Sequence, residues 1–297
     1  MKRKSQLDPV IKRVLTEQNQ GLETRREIFI KLEDMFKKPV VSFFTSFTFP
    51  VMIEDDDADM IEGILRTIDC CNGLVLIINS PGGDGLAAER IINVCRSYSR
   101  DKGYLVVVPG KAKSAATMIC FGAQKIEMGA TSELGPIDPQ LRITENGQIK
   151  RFSVYNLVKS YESLFRDAVK AKGHLEPYLQ QLSHYDAREI KEYRASISLS
   201  ENIAIRTLAS GMLKSIPENS IKRKIGIFLN PKETKTHGRP IYRDDAEKCG
   251  LIIDKIDIKD KKWELINELY IRTNNFVSTK VSKCVESKNH SFVTGTQ

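Results

Sequence analysis

Two apolar runs, Leu74-Val75-Leu76-Ile77-Ile78 and Tyr104-Leu105-Val106-Val107-Val108, constrain this chain more than any other feature. Neither alternates with polar residues, so each suits a strand buried on both faces rather than one with a face in water. Turn residues bound the first run, and a stretch with helical spacing, about 84–100, lies between the two. A second helix, about 114–122, and a third strand, 125–128, continue the alternation. Strands and helices alternating at this pitch form a parallel sheet with right-handed crossovers, so the expected fold class is α/β.

Ligands of such sheets gather at the carboxyl ends of the strands. The first strand runs into Ser80-Pro81-Gly82-Gly83-Asp84-Gly85, where glycines let backbone N–H groups meet a ligand at close range. The other leads to Lys113-Ser114-Ala115-Ala116-Thr117, a helix start rich in small residues, with Ser114 31 positions beyond Gly83. A serine there lies beside free backbone donors and the positive end of a helix dipole. A tetrahedral acyl intermediate needs two converging N–H donors. Gly83 can supply one and Ala115, the residue after the serine, the other. Taken alone, Ser114 reads as an N-cap, as Asp84 does for its own helix; beside the glycine turn it also reads as a nucleophile.

With 297 residues, 41% hydrophobic and 28% charged, the chain can bury a full core. Its net charge of +8 reads as a solvated surface. No aromatic RNA-type motif or zinc spacing accompanies it, so no nucleic-acid partner is expected. The six cysteines include no CxxC pair, and three sit in apolar patterns, which points to a reducing compartment. The basic N-terminus has no apolar stretch behind it, and residues 40–53 are too short and too interrupted to span a bilayer. A cytoplasmic location is therefore expected. The sequence has no phosphate-binding glycine motif or flavin fingerprint, and neither a cofactor nor a metal is expected. The acidic run Glu54-Asp55-Asp56-Asp57 reads as charge at a helix N-terminus, because adjacent carboxylates do not converge easily on one ion.

Three segments are expected. Residues 1–36 form a helical extension, with Val10, Ile11, Val14 and Leu15 at amphipathic spacing. Residues 37–257 form the main α/β domain, and 258–297 a C-terminal helix with a disordered tail rich in Ser, Thr, Lys and Asn. Within the main domain, the stretch after Gln140 reads as a loop around Asn146-Gly147. Residues 154–172 and 175–213 read as helical, 221–230 as a strand, and 244–249 as a short helix closed by Gly250.

The turn NSPGGDG, the segment KSAAT and the later stretch GRPIYRDDAEKCGLIID resemble the Clp/crotonase-fold serine peptidases. The similarity is greatest to the serine dehydrogenase proteinase (SDH) family and the related signal peptide peptidase A branch. Ser114-Ala115-Ala116 matches the small-residue segment that begins at the nucleophile. Gly238-Arg239 with Gly250-Leu251-Ile252 matches a downstream signature, and Leu134-Gly135-Pro136-Ile137-Asp138-Pro139-Gln140 is the piece most like the SDH family. These matches span about residues 40–257. The resemblance implies a Clp/crotonase-like fold of repeated strand-helix units with added N- and C-terminal helices. It implies an ATP-independent serine peptidase acting on polypeptides through an acyl-enzyme on Ser114. It also implies a homo-oligomer, with any membrane association made through a partner.

A serine hydroxyl needs a base, which histidine or a desolvated lysine can provide. The SDH resemblance implies Ser, Asp and His in chain order, met by Ser114, Asp138 and His237. The signal peptide peptidase branch instead implies a Ser-Lys dyad, for which Lys150 and Lys159 are the candidates. Clp-type peptidases carry their histidine at roughly the chain position of Asp138, so His237 would approach from outside that loop, or from another subunit. Two further readings suit the same segments. One is a crotonase-type acyl-CoA enzyme that uses the oxyanion hole on a thioester enolate. The other is a non-catalytic, peptide-binding scaffold.

Overall fold

A computed structural model of the chain describes Val10, Val14, residues 21–145 and residues 148–295. In chain order the strands are β1 (Val40–Thr45), β2 (Leu74–Asn79), β3 (Tyr104–Val108), β4 (Lys111–Ala112), β5 (Lys125–Met128) and β6 (Glu133–Leu134). They continue as β7 (Gln140–Glu145), β8 (Gln148–Ser153), β9 (Ile241–Tyr242), β10 (Ile253–Lys255), β11 (Val281–Glu286) and β12 (Ser291–Gly295). The central sheet has the order β10-β5-β3-β2-β1-β11-β12. Its first five strands run parallel; β11 joins β1 antiparallel, with Phe44 opposite Cys284, and β12 completes a hairpin.

The two apolar runs are β2 and β3, and every residue of both is buried. Alternate side chains serve opposite faces of the sheet. Leu76, Ile78, Val106 and Val108 pack in the larger core with the helices Asp55–Leu65, Gly85–Ser99 and Ala115–Phe121. Val75, Ile77, Leu105 and Val107 pack in a second core with Phe29 and Leu32 of Glu23–Phe36 and with Trp263, Ile266 and Leu269 of Lys261–Thr279. At about 1.5–3 kcal/mol for each fully buried aliphatic side chain, both faces draw the strands into the interior.

Three expectations are corrected. The stretch after Gln140 is a β7–β8 hairpin rather than a loop, because Leu141, Ile143 and Phe152 alternate with polar residues on one face; Asn146 and Gly147 lie outside the described residues. Residues 221–230 are helical (Glu218–Lys224, Gly226–Leu229). Ile221, Ile225 and Phe228 are buried at i, i+4 and i+7, which is helical spacing.

The C-terminal tail is the third correction: it is the β11–β12 hairpin, and β11 is buried throughout. Its polar residues find interior partners. Glu286 accepts from Arg25 Nε at 2.7 Å and Nη2 at 2.6 Å, and Lys283 pairs with Asp57 at 3.0 Å and Glu54 at 2.9 Å. The acidic run is indeed a helix start, with a reciprocal capping box between Glu54 and Asp57. At the other end of the chain, Val10 and Val14 are helical, while Ile11 and Leu15 lie outside the described residues. No described helix is long and apolar enough to cross a membrane.

Candidate active site

The site is assembled where the segments after β2 and β3 are tied together. Ser80 N–H donates to Lys111 O at 2.8 Å and Lys113 N–H to Ser80 O at 3.0 Å, a parallel bridge that ends one residue before Ser114. Ser80 Oγ takes the Gly82 N–H at 3.0 Å and the Thr45 hydroxyl at 2.6 Å, which fixes the start of the turn. Gly82 has φ +97°, and a Cβ placed there would lie 2.5 Å from Lys113 O and 2.7 Å from Ser114 Cβ. The turn therefore lies directly against the serine, a packing only glycine permits.

Gly83 is constrained on its other side. Ile53 N–H donates to Gly82 O and Asp84 N–H to Ile53 O, both at 2.9 Å. In an extended segment adjacent peptide groups point to opposite sides. With Gly82 O and Asp84 N–H spent on Ile53, the Gly83 N–H faces away from that bridge. Neither Gly83 N–H nor Ala115 N–H has a partner among the described residues. Ala115 opens the Ala115–Phe121 helix, whose N-cap is Ser114 at φ 52°, ψ −119°. That conformation is disfavoured for any residue with a Cβ. The Ser114 side chain makes no cap bond to the helix, so its hydroxyl is not spent on the backbone. Asp84, as expected, caps the Gly85–Ser99 helix, accepting from Ala87 N–H at 2.8 Å.

Asp138 and His237 meet although they are 99 residues apart: imidazole Nδ1 lies 2.7 Å from Asp138 Oδ1. The small sheet β4-β6-β9 explains the encounter. β6 precedes Asp138 by four residues, and it pairs antiparallel with β9, which His237 precedes by four. His237 thus arrives from within the same chain. The Asp138 carboxylate is 1% exposed, and its second oxygen accepts from Gln140 Nε2 at 2.7 Å. A carboxylate on Nδ1 selects the tautomer with the proton there, leaving the Nε2 lone pair to take one.

Ser114, His237, Gly82 and Gly83 line one cleft of about 570 Å³, whose walls include Met52, Met118 and Leu199. His237 and Ser114 thus share a cavity, with Asp138 buried behind the imidazole, but no hydrogen bond joins Ser114 to the imidazole among the described residues. Lys150 and Lys159 do not line this cleft. Lys150 lies opposite Ile143, on the face of the β7–β8 hairpin turned from the cleft-lining Arg142 and Arg151. Lys159 pairs with Glu162 at 2.8 Å on the exposed side of the Val154–Lys170 helix.

Several contributors were not legible beforehand. Ile53 braces the turn, Gln140 holds Asp138, and Thr117 secures the serine helix by donating to Ala112 O and accepting from Gly135 N–H. Lys113 pairs with Glu133 at 3.2 Å and donates to Leu134 O at 3.0 Å, linking β4 to β6. Burial draws its pKa down, against the pull of Glu133. Gln140 had a local signal, two positions from Asp138 in the LGPIDPQ segment; Ile53 had none.

A family model described as a ClpP-like SDH-type serine proteinase matches residues 13–161, half of the chain. Two uncharacterized proteins of Methanocaldococcus jannaschii are also similar. One is 37% identical over 110 residues, covering 36% of this chain and 34% of the relative. The other is 35% identical over 66 residues, or 22% of each. The chain thus spans about a third or less of the length of these relatives.

Proposed function

This chain belongs to the ClpP-like SDH-type serine proteinases, and on that premise we propose that it hydrolyses peptide bonds through an acyl-enzyme on Ser114. The observation that carries the proposal is the Asp138–His237 pair, held at 2.7 Å and opening onto the cleft of Ser114 and the glycine turn. In this reading Ser114 Oγ attacks the scissile carbonyl while His237 Nε2 takes its proton. The oxyanion is held by the N–H groups of Gly83 and Ala115. The imidazolium then protonates the leaving amine, and a water repeats the sequence on the acyl-enzyme. Asp138 keeps its charge and stabilises the imidazolium. Substrate binding would bring the hydroxyl and the imidazole into contact, as hydrogen bonds in empty sites often tighten only on binding.

A fluorophosphonate probe, followed by peptide mapping, tests the reading. Ser114 should be the labelled residue, and His237→Ala and Asp138→Asn should each slow labelling by about 10²-fold or more. Lys150→Ala and Lys159→Ala should label at the wild-type rate. An active His237→Ala protein, or a label elsewhere than Ser114, would remove the triad.

A further inference from the structure

The β7–β8 hairpin sets two arginines against each other. Arg142 and Arg151 are directly opposed in the antiparallel register, so their side chains share a face, and both line the Ser114 cleft. Like charges opposite one another weaken a hairpin, and a two-stranded ribbon has little stability to spare. Both arginines are largely exposed; partial desolvation and the neighbouring Arg151 lower the Arg142 pKa, as expected of a cation lacking a counter-charge. Among the described residues neither guanidinium has an ion pair or a side-chain hydrogen bond.

The remaining charges of the cleft are already committed. Lys111 and Lys113 both pair with Glu133, at 3.5 and 3.2 Å, and Asp84 caps its helix. The two arginines are therefore the unanswered charge of the cavity. A guanidinium fork matches a carboxylate in two parallel hydrogen bonds. Position also matters. Gln140, on the same face of β7, holds Asp138 and through it the His237 pair. Arg142 lies two residues further along, about 7 Å in a strand.

Resting on the peptidase reading, we propose that Arg142 and Arg151 grip a carboxylate of the polypeptide substrate within about two residues of the scissile carbonyl. The cleft then favours acidic segments. The carboxylate is either an Asp or Glu side chain or the free α-carboxylate of a chain end.

Binding to the Ser114→Ala protein tests this without turnover. Labelled peptides of about ten residues, identical except for a central Glu, Gln or Lys, and with free or amidated C-termini, are compared by fluorescence anisotropy. The Glu or free-acid peptide should bind roughly tenfold more tightly than its neutral counterpart, and added salt should shrink the difference. Loss on Glu→Gln identifies a side-chain carboxylate; loss on amidation identifies the chain end. Placing Arg142→Gln and Arg151→Gln in the same protein should erase the preference, and Arg142→Glu with Arg151→Glu should turn it toward Lys, with folding of each variant checked by circular dichroism. Equal or unmeasurable binding of all peptides overturns the proposal. Fluorophosphonate labelling of the wild-type protein keeps the two readings apart. Labelling at Ser114 without charge preference sinks only the arginine site. Charge preference without labelling sinks only the peptidase reading.

Discussion

Replacing Gly83 by alanine adds a single methyl group at the narrowest point of the site. Its Cβ would fall 2.2 Å from Ile53 N and 2.3 Å from Ile53 O, where ordinary contact begins near 3.4 Å. The opposing atoms are backbone held on both sides, so they cannot swing away as a side chain would. The turn must withdraw by about 1 Å, which breaks the two 2.9 Å hydrogen bonds that join Ile53 to Gly82 and Asp84. Two such bonds are worth about 1 kcal/mol each, and the residual crowding adds about 1–2 kcal/mol, so a stability loss of about 3–4 kcal/mol follows. The same displacement carries the Gly83 N–H off the forming oxyanion, at a cost of about 10²-fold in rate. Urea unfolding gives the first quantity, and the rate constant for fluorophosphonate labelling of the folded protein gives the second. A Gly83→Ala protein with wild-type urea midpoint and labelling rate would refute both the brace and the donor assignment.

Three further outcomes follow from other parts of the molecule. Ser114 sits at φ 52°, ψ −119°, so Ser114→Gly should be about 1 kcal/mol more stable than Ser114→Ala while both resist labelling; the reverse order in urea would remove the strain argument. Glu286→Ala leaves the Arg25 guanidinium buried without its carboxylate, and should cost about 3–5 kcal/mol, read as a fall in the thermal midpoint; a shift of only a degree or two would show that β11 is not anchored this way. Burial raises the Cys95 thiol from 9.0 to about 12. The unfolded chain therefore loses this proton first: the stability linked to it is level below about pH 9 and falls between about pH 9 and 12, at up to about 1.4 kcal/mol per unit. Urea midpoints across pH should show that decline, reduced in Cys95→Ala, and an unchanged slope in the variant would contradict the linkage.

The elements that were legible from the chain alone are those whose signal is local. β3 and β5 were expected at the bounds they have, and β2 within a residue, because a strand buried on both faces needs only a short apolar run between turn residues. The juxtaposition of the glycine turn with Ser114 was legible too, since one strand-helix-strand unit fixes where successive carboxyl ends lie. What failed was also local in origin. Val281 to Glu286 looked like a frayed tail because Ser282, Lys283 and Glu286 are polar. Only the fold supplies Arg25 and Asp57, which make those residues fit for the interior. The region 221–230 was short enough for its apolar residues to suit either period. The family resemblance names Asp138 and His237 together, but their contact is a tertiary matter: the small sheet joining β6 to β9 brings the two side chains to 2.7 Å across 99 residues, from within one chain. The same holds for Ile53 at Gly83 and for the two opposed arginines. Each depends on which backbone lies beside which, a matter settled by packing the whole sheet rather than by any window of sequence.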